Sequence, residues 1–531
     1  MKRGRGRRKP LPEVIAIVVT DLERSRLGLP SRVDARVLSR TLSRVVKIEG
    51  LDAIALVHPP GQTMPAADVD LPVHAVAALE PPADVNIAAR KWALESWRGG
   101  LGGATCYDEL LPATSWLAAM NELRAQSALI VGADWVRVDP ELSAKVLTLH
   151  RGEPEALQMA FCQAPPGLCG IAAGRTLVEQ FAEKNAGFGR LLAYVPQRPQ
   201  ADPIGRDVCV QIDARIRGCA KRFIYDTDRS AAMIDRLPDG DALSLCLAAK
   251  SDDALPREYV VELTPRRGAN GPITPRHHVT INREAMSLEN ARRIVSEIAR
   301  VDDAVVMFGG LGDALLHDDW QTIVTAAHDA GVFGIGVETD LLVDTDALDA
   351  LLSLPLDVVT VRINADTAET YDKLMRVGSF KQVLDNMQYL LRERCRGDRG
   401  LVPWIVPRLI KTADTLADME TFFERWMTYT AQAVIDPATT GCGLMPDFAP
   451  LDMAGPKRRA CRQIERRVNI HADATVAQCD QDWLARGVTM TLNGHTLAGA
   501  WRNLQPLRDA HRNEQWQRNE LCGQCREWHR P

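Results

Sequence analysis

Apolar residues run through this chain in short continuous blocks separated by longer amphipathic stretches. That is the pattern of a largely parallel sheet covered on both faces by helices. The first block, Val14 to Val19, is wholly apolar and mostly β-branched, as a strand buried on both faces requires. A polar loop follows, then a helical stretch (VLSRTLSRVVKIEG) closing at Gly50, and a second strand over 52–58. Strand, loop, helix, strand is a right-handed βαβ unit. A later strand, 127–132 (SALIVG), runs into Ala133-Asp134-Trp135. An acidic residue thus sits at the carboxyl end of a buried strand, where open α/β sheets bind ligands.

The alternation resumes at 257–264 and predicts further strands over 304–308, 332–337, 357–363, 404–410 and 432–436. Helical stretches fall at 286–301, 366–375, 380–394 and 413–429. In the first of these Ser287 is placed to cap, with Ile294, Ile298 and Val301 on one apolar face. Six strands with intervening helices predict an open or partial α/β barrel, whose site lies at the strands' carboxyl ends. An Asp-rich connector at 238–256 and a Gly-, Pro- and Asp-rich break at 437–456 divide the chain into segments 13–240, 257–440 and 456–531.

Composition changes this picture little. Of 531 residues, 46% are apolar and 25% charged, and the formal net charge of −5 argues against nucleic-acid binding by bulk electrostatics. No apolar run is long enough for a membrane span. Residues 1–9 (MKRGRGRRK) are strongly basic and read as a solvated tail or as an arm for phosphate or membrane surfaces. They do not form a secretory signal, so a cytoplasmic location is expected. Twelve cysteines in 531 residues are too sparse for a disulfide scaffold. Cys162 and Cys169, like Cys106, Cys209, Cys219, Cys246, Cys395 and Cys442, read as buried structural thiols.

The first segment resembles the cytidylyltransferase branch of the nucleotidyltransferases, including those tied to spore-coat polysaccharide synthesis. The resemblance rests on the loop DLERSRLGLPSR, with Ser25, Arg26, Leu27, Gly28 and Arg32 at comparable places, on VGADWVRVDPEL around Asp134, and on FIYDTDRSAAMIDRL (223–237). It implies nucleotide contacts from Ser25, Arg26 and Arg32 and a Mg²⁺ ligand in Asp134, whose alternative role is to cap the following turn. Asp21 and Glu23 depart from the pattern, since two carboxylates would repel a triphosphate unless a metal intervened.

The second segment looks like the radical S-adenosylmethionine (SAM) core, a partial (βα)6 barrel. FGGLGDALLHDDW (308–320) is similar to the stretch that holds the methionine amine of SAM, which implies roles for Gly310, Gly312 and Asp313. DVVTVRINADTAETYDKLMRVGSF (357–380) resembles the fourth strand and its helix. The family carries Cys-x3-Cys-x2-Cys after the first strand, leaving one iron of a [4Fe–4S] cluster open to SAM. Here that loop reads LTPRRGANGPITPRHHV (263–279) and contains no cysteine. Reductive cleavage of SAM is therefore not expected. The loop reads as solvated, or else as a phosphate or carboxylate site built from Arg266, Arg267, Arg276, His277 and His278. Adjacent histidines on a strand would face opposite ways.

In the third segment Cys461, Cys479, Cys522 and Cys525 make a set of four thiols ending in Cys-x2-Cys, able to hold a [4Fe–4S] cluster or a structural Zn²⁺. The segment resembles the SPASM or twitch auxiliary-cluster module that follows radical SAM barrels, which implies that the four thiolates bind one cluster with no open iron. Its usual turn glycine is Ala474 here, so a positive φ would be strained. Three functions remain open. One is a cluster-binding SPASM-type protein with a degenerate barrel that binds a small molecule, peptide or partner, with any chemistry redox in kind. The second is a Mg²⁺-dependent nucleotidyltransferase or sugar-nucleotide enzyme of surface polysaccharide metabolism. The third is a zinc-stabilised interaction protein.

Overall fold

The computed structural model describes residues 13–82, 84–92, 96–98, 104–193, 199–250, 253–397, 399–451, 454–455, 457–487 and 490–529. The basic stretch 1–9 lies outside them. Chain contacts define two compact units, one drawn from Met1–Pro82, Leu94–Arg98 and Ala104–Ala249, the other from Ala83–Ala93, Gly99–Gly103 and Lys250–Pro531. The fold is mixed α/β with largely parallel sheets, and the larger sheet is not closed into a barrel.

The first unit is built on seven strands: β1 (Val14–Val19), β2 (Ala53–His58), β3 (Val73–Ala77), β4 (Ser127–Gly132), β5 (Met159–Cys162), β6 (Ile171–Gly174) and β7 (Cys209–Val210). Their order across the sheet is β3-β2-β1-β4-β6-β5-β7. The pairs among β1–β4 are parallel, whereas β6 runs antiparallel to β4 and β5. Every residue of β1, β2 and β4 is buried, each large aliphatic side chain contributing roughly 1.5–3 kcal/mol. The helix Ala35–Val45 starts on Asp34, whose carboxylate accepts from Val37 N at 2.7 Å. It stops at Val45, earlier than expected, and Gly50 instead takes a positive φ of 92° in the following turn. Strand order reverses at β1 and β4, which puts the loops after these two strands side by side.

The second unit carries β8 (Glu258–Val261), β9 (Val305–Phe308), β10 (Gly334–Thr339), β11 (Val358–Arg362), β12 (Trp404–Lys411) and β13 (Val434–Pro437). All five pairings between successive members of this set are parallel. The free edge of β8 is taken by β14 (Arg467–Ile470), also parallel, and the antiparallel strands β15 (Thr475–Ala477) and β16 (Met490–Thr491) extend it. Residues from 257–440 and from 456–531 therefore share one nine-stranded sheet. Ser287 caps the helix Leu288–Ile298 by accepting from Asn290 N, and Ile294 and Ile298 are buried. The short helix Asp84–Lys91 also belongs to this unit, and Lys91 pairs with Asp357 at 2.8 Å.

Candidate functional sites

Three places gather chemistry-bearing side chains. In the first unit, Ala133 N donates to Val19 O, so the loops after β1 and β4 run together. Ser25 uses its hydroxyl to accept from Leu27 N and Leu29 N. Arg26 is buried and donates to the carbonyls of Glu109 and Leu111. Arg32 pairs with Asp228. Asp21 accepts from Glu23 N, Arg24 N and Gln62 Nε2 at 2.9–3.0 Å, so its carboxylate organises the loop internally.

Asp134 follows β4, and Tyr225 N donates to its carbonyl. Burial, then the charges of Asp226 and Glu109 against the opposing Arg222, push its carboxyl up to about 7. Sequence reading missed Arg222 and Glu109. The Arg222 guanidinium is fully buried, forks onto both oxygens of Glu109 at 3.0 and 2.9 Å, and also binds Asp226. A guanidinium so placed already supplies the cation that these carboxylates need, and it cannot vacate for an octahedral Mg²⁺ without leaving a buried charge unpaired. These residues do not fit a Mg²⁺ site.

The second place lies at the strand ends of the second unit. The backbone N of Gly310, at a φ of 105°, donates to Glu338 Oε2, while Arg362 donates to the carbonyls of Gly310 and Gly312 at 3.1 and 2.7 Å. A Cβ on Gly312 would collide with the Thr264 carbonyl, so the turn requires glycine. Asp313 faces inward. It caps the turn Ala314–Leu316 through Leu315 N and accepts from Thr339 Oγ1 and Asp340 N at 2.9 and 2.8 Å. Burial, with Asp340 nearby, raises it to about 6.

Glu338, Arg362, Arg408 and Asp436 form a chain of charges along β10 to β13, with Arg408 bonded to Glu338 at 2.9 Å and to Asp436 at 2.8 Å. The sequence signal was present, since each is a charged residue near the carboxyl end of an apolar strand. In the loop after β8, Arg267 is buried and forks onto Asp340 at 2.7 and 2.8 Å. Arg266 pairs with Asp318, and Arg276 donates to Pro265 O. His277 and His278 lie in the short helix Pro275–His278, not on a strand, and each bonds a backbone carbonyl. The arginines here are thus met by carboxylates or carbonyls.

The third place is the C-terminal group of thiols. Cys461 lies before β14, Cys479 follows β15, and Cys522 and Cys525 flank the end of the helix Glu520–Gln524. All four are free, with Cys522 buried and the others partly so. They lie within electrostatic reach of one another: Cys479 responds to Cys461 and Cys522, and Cys522 to Cys461 and Cys525. Gln478 Nε2 donates to Cys522 Sγ at 3.1 Å, and Glu527 N to Cys525 Sγ at 3.3 Å.

Burial pushes Cys461 up to about 11 and Cys522 to about 12, and raises Cys479 strongly. Cys525 is lowered because Cys442 donates a hydrogen bond to it. Among the described residues no three His, Cys, Asp or Glu side chains stand at metal-ligating distances. The chemistry of the donors is that of a thiophilic group: four sulphurs, two with N–H donors aimed at them. Ala474 takes a φ of 64°, the strained turn expected from its replacement of glycine. Cys442, read from sequence as a buried structural thiol, is buried and free.

Residues 273–407, within the second unit, match the model of the radical SAM superfamily. The match begins after Arg266 and Arg267. An uncharacterized protein of Treponema pallidum (strain Nichols) is 27% identical over 128 residues, 23% of this chain and 34% of that protein. The chain thus spans about a third of the length of this curated relative. Among solved structures, BtrN in complex with AdoMet and 2-DOIA is 12% identical with a TM-score of 0.36, covering 52% of this chain and 94% of that one. Streptococcus suis SuiB bound to precursor peptide SuiA is 9% identical with a TM-score of 0.41, covering 66% and 85%. A cytidylyltransferase from Leptospira borgpetersenii serovar Hardjo-bovis is 11% identical with a TM-score of 0.29, covering 45% and 94%. Likeness at this level carries neither activity nor ligand across. No helix among the described residues is long and apolar enough to cross a membrane.

Proposed function

We propose that this chain is an iron–sulfur protein in which Cys461, Cys479, Cys522 and Cys525 hold one [4Fe–4S] cluster beside a radical-SAM-type sheet that binds a ligand without cleaving SAM. The observation that carries this reading is that Gln478 Nε2 and Glu527 N donate to the sulphurs of Cys522 and Cys525, two of the four thiols of the C-terminal segment. Such N–H donors stabilise metal-bound thiolates and tune cluster potentials. A fully ligated cluster supplies electron transfer when bound.

The strand-end arrangement supports the second half of the proposal. The loop after β8 has no thiol, and its Arg267 is locked to Asp340. Asp313 spends its carboxylate on Thr339, Asp340 and Leu315, so it is not presented to an ammonium group. Arg408 and Asp436 remain partly exposed and are placed to orient a polar small molecule or peptide.

The test is metal analysis of anaerobically purified chain, with iron, acid-labile sulfide and zinc measured beside the visible spectrum. Roughly four irons and four sulfides per chain are expected, lost in Cys522→Ala. One zinc without iron would make the module structural instead, and no metal at all would overturn the reading.

A further inference from the structure

The helix Gln505–Arg512 buries Leu507, Arg508 and His511. His511 stands in its last turn, one turn on from Leu507, where an apolar side chain would complete the inner stripe. It is 1% exposed, and it uses its ring in a specific way: the backbone N–H of Cys461 donates to Nδ1 at 3.1 Å. A backbone nitrogen can only donate, so Nδ1 carries no proton and the neutral ring holds its proton on Nε2. That N–H is sealed from solvent and has no acceptor among the described residues.

Two neighbouring donors are in the same condition. Trp516, 7% exposed, lies with its ring centroid 6.2 Å from that of His511, and its indole Nε1 is buried without an acceptor. The guanidinium of Arg458 stacks over the Trp516 ring at 5.2 Å. Its two Nη atoms donate to the carbonyls of Cys522 and Gly523, while its Nε is buried and unpartnered. The three side chains therefore make a continuous path from the backbone of Cys461 to the backbone of Cys522. Buried N–H groups are nearly always paired, because an unpaired one keeps the full cost of leaving water. Three unpaired donors meeting at one place are the complement of an anion with several acceptor atoms.

We propose that His511, Trp516 and Arg458 are a donor shell for an anionic iron–sulfur group held by the C-terminal thiols, with His511 also positioning Cys461. This rests on the reading of Cys461 and Cys522 as thiolate ligands. Four thiolates make such a group a net anion, and its sulphurs accept hydrogen bonds that set its potential. Gln478 and Glu527 already have cysteine sulphurs as acceptors. The three donors here have none, which calls for acceptors the chain does not itself supply and so favours a cluster with sulfides of its own over a single zinc ion. In the metal-free chain these N–H groups are a cost. In the loaded chain they favour retention of the group, and most of all its more negative, reduced level.

The full chain, purified anaerobically and reconstituted with ferrous iron and sulfide, would be compared as wild type, Trp516→Phe, His511→Phe and His511→Gln. Trp516→Phe keeps an aromatic ring under Arg458 and removes the N–H. Without metal it is expected to unfold at the same denaturant concentration as wild type or higher, since an unpaired donor has gone. With metal its midpoint potential, read by spectroelectrochemistry, shifts to more negative values, and iron passes to a ferrous chelator at least tenfold faster. His511→Phe loses iron at least as fast, and His511→Gln, which can again accept from Cys461 N and donate, restores retention. A loaded Trp516→Phe chain with wild-type potential and wild-type iron loss overturns the proposal. So does equal destabilisation with and without metal, the result of a packing role alone, and so does uptake of zinc in place of iron. A wild-type chain that takes up neither metal sinks instead the reading of the thiols as ligands, and the wild-type measurement by itself separates that failure from failure of the donor shell.

Discussion

Arg222 shows what one buried side chain decides. Its guanidinium neutralises Glu109 and Asp226 beside Asp134. Removing one partner of such a buried pair leaves uncompensated charge, so Arg222→Ala is expected to cost about 3–5 kcal/mol in chemical denaturation of the first unit. Asp134 gives a pH signature. Its folded carboxyl titrates near 7 against an ordinary 3.8, so between these values the folded state binds the extra proton. Stability contributed by this group is present below about pH 4 and is lost as pH rises through about 7. Asp134→Asn should therefore flatten the stability profile over that window and leave the protein more stable than wild type at pH 8, as followed by denaturation at several pH values. Neither residue's partner was legible in sequence, because Glu109 and Arg222 lie 113 positions apart.

At the scale of single elements, turns and strand ends carry the argument. Ala474 sits at a φ of 64° in the turn between β14 and β15. Ala474→Gly should relieve backbone strain that exceeds glycine's entropic cost, raising stability by about 0.5–1 kcal/mol in a denaturant titration. Asp313 caps a turn and ties it to Thr339 and Asp340. Asp313→Ala should cost about 0.5–2 kcal/mol, the usual range for a lost cap. Strand positions in the second unit were readable to within three residues, because a parallel strand buried on both faces must be continuously apolar. The helix Ala35–Val45 was overextended, since its apolar periodicity continues through Ile48 into a turn whose end only the structure marks. Charged residues such as Glu338 and Arg362 were visible at strand ends, yet their pairing depends on which strands are neighbours.

For the whole molecule, the two compact units should respond differently to metal. A group bound only by the folded second unit stabilises that unit by mass action. Calorimetry of metal-loaded and chelated chain is expected to shift one transition, with the other, belonging to the first unit, left in place. β14 pairs with β8 and is fastened by Glu258, which Arg466 and Arg467 hold near 2 although burial opposes this. Loss of metal is thus expected to loosen the strands at this edge first, which amide exchange in β14 to β16 would register.

The residues alone determined β1, β2, β4 and the six parallel strands β8 to β13, the α/β class, the four-thiol set and the absence of cysteine after β8, because these follow from local periodicity, composition and spacing. Tertiary structure decided what long-range pairing controls. It set β14 beside β8 within one sheet, put Arg222 among the carboxylates around Asp134, and turned Asp313 inward. A one-dimensional pattern records which side chain is apolar or charged. Which charge meets which depends on strand order and loop closure, and those are properties of the packed chain.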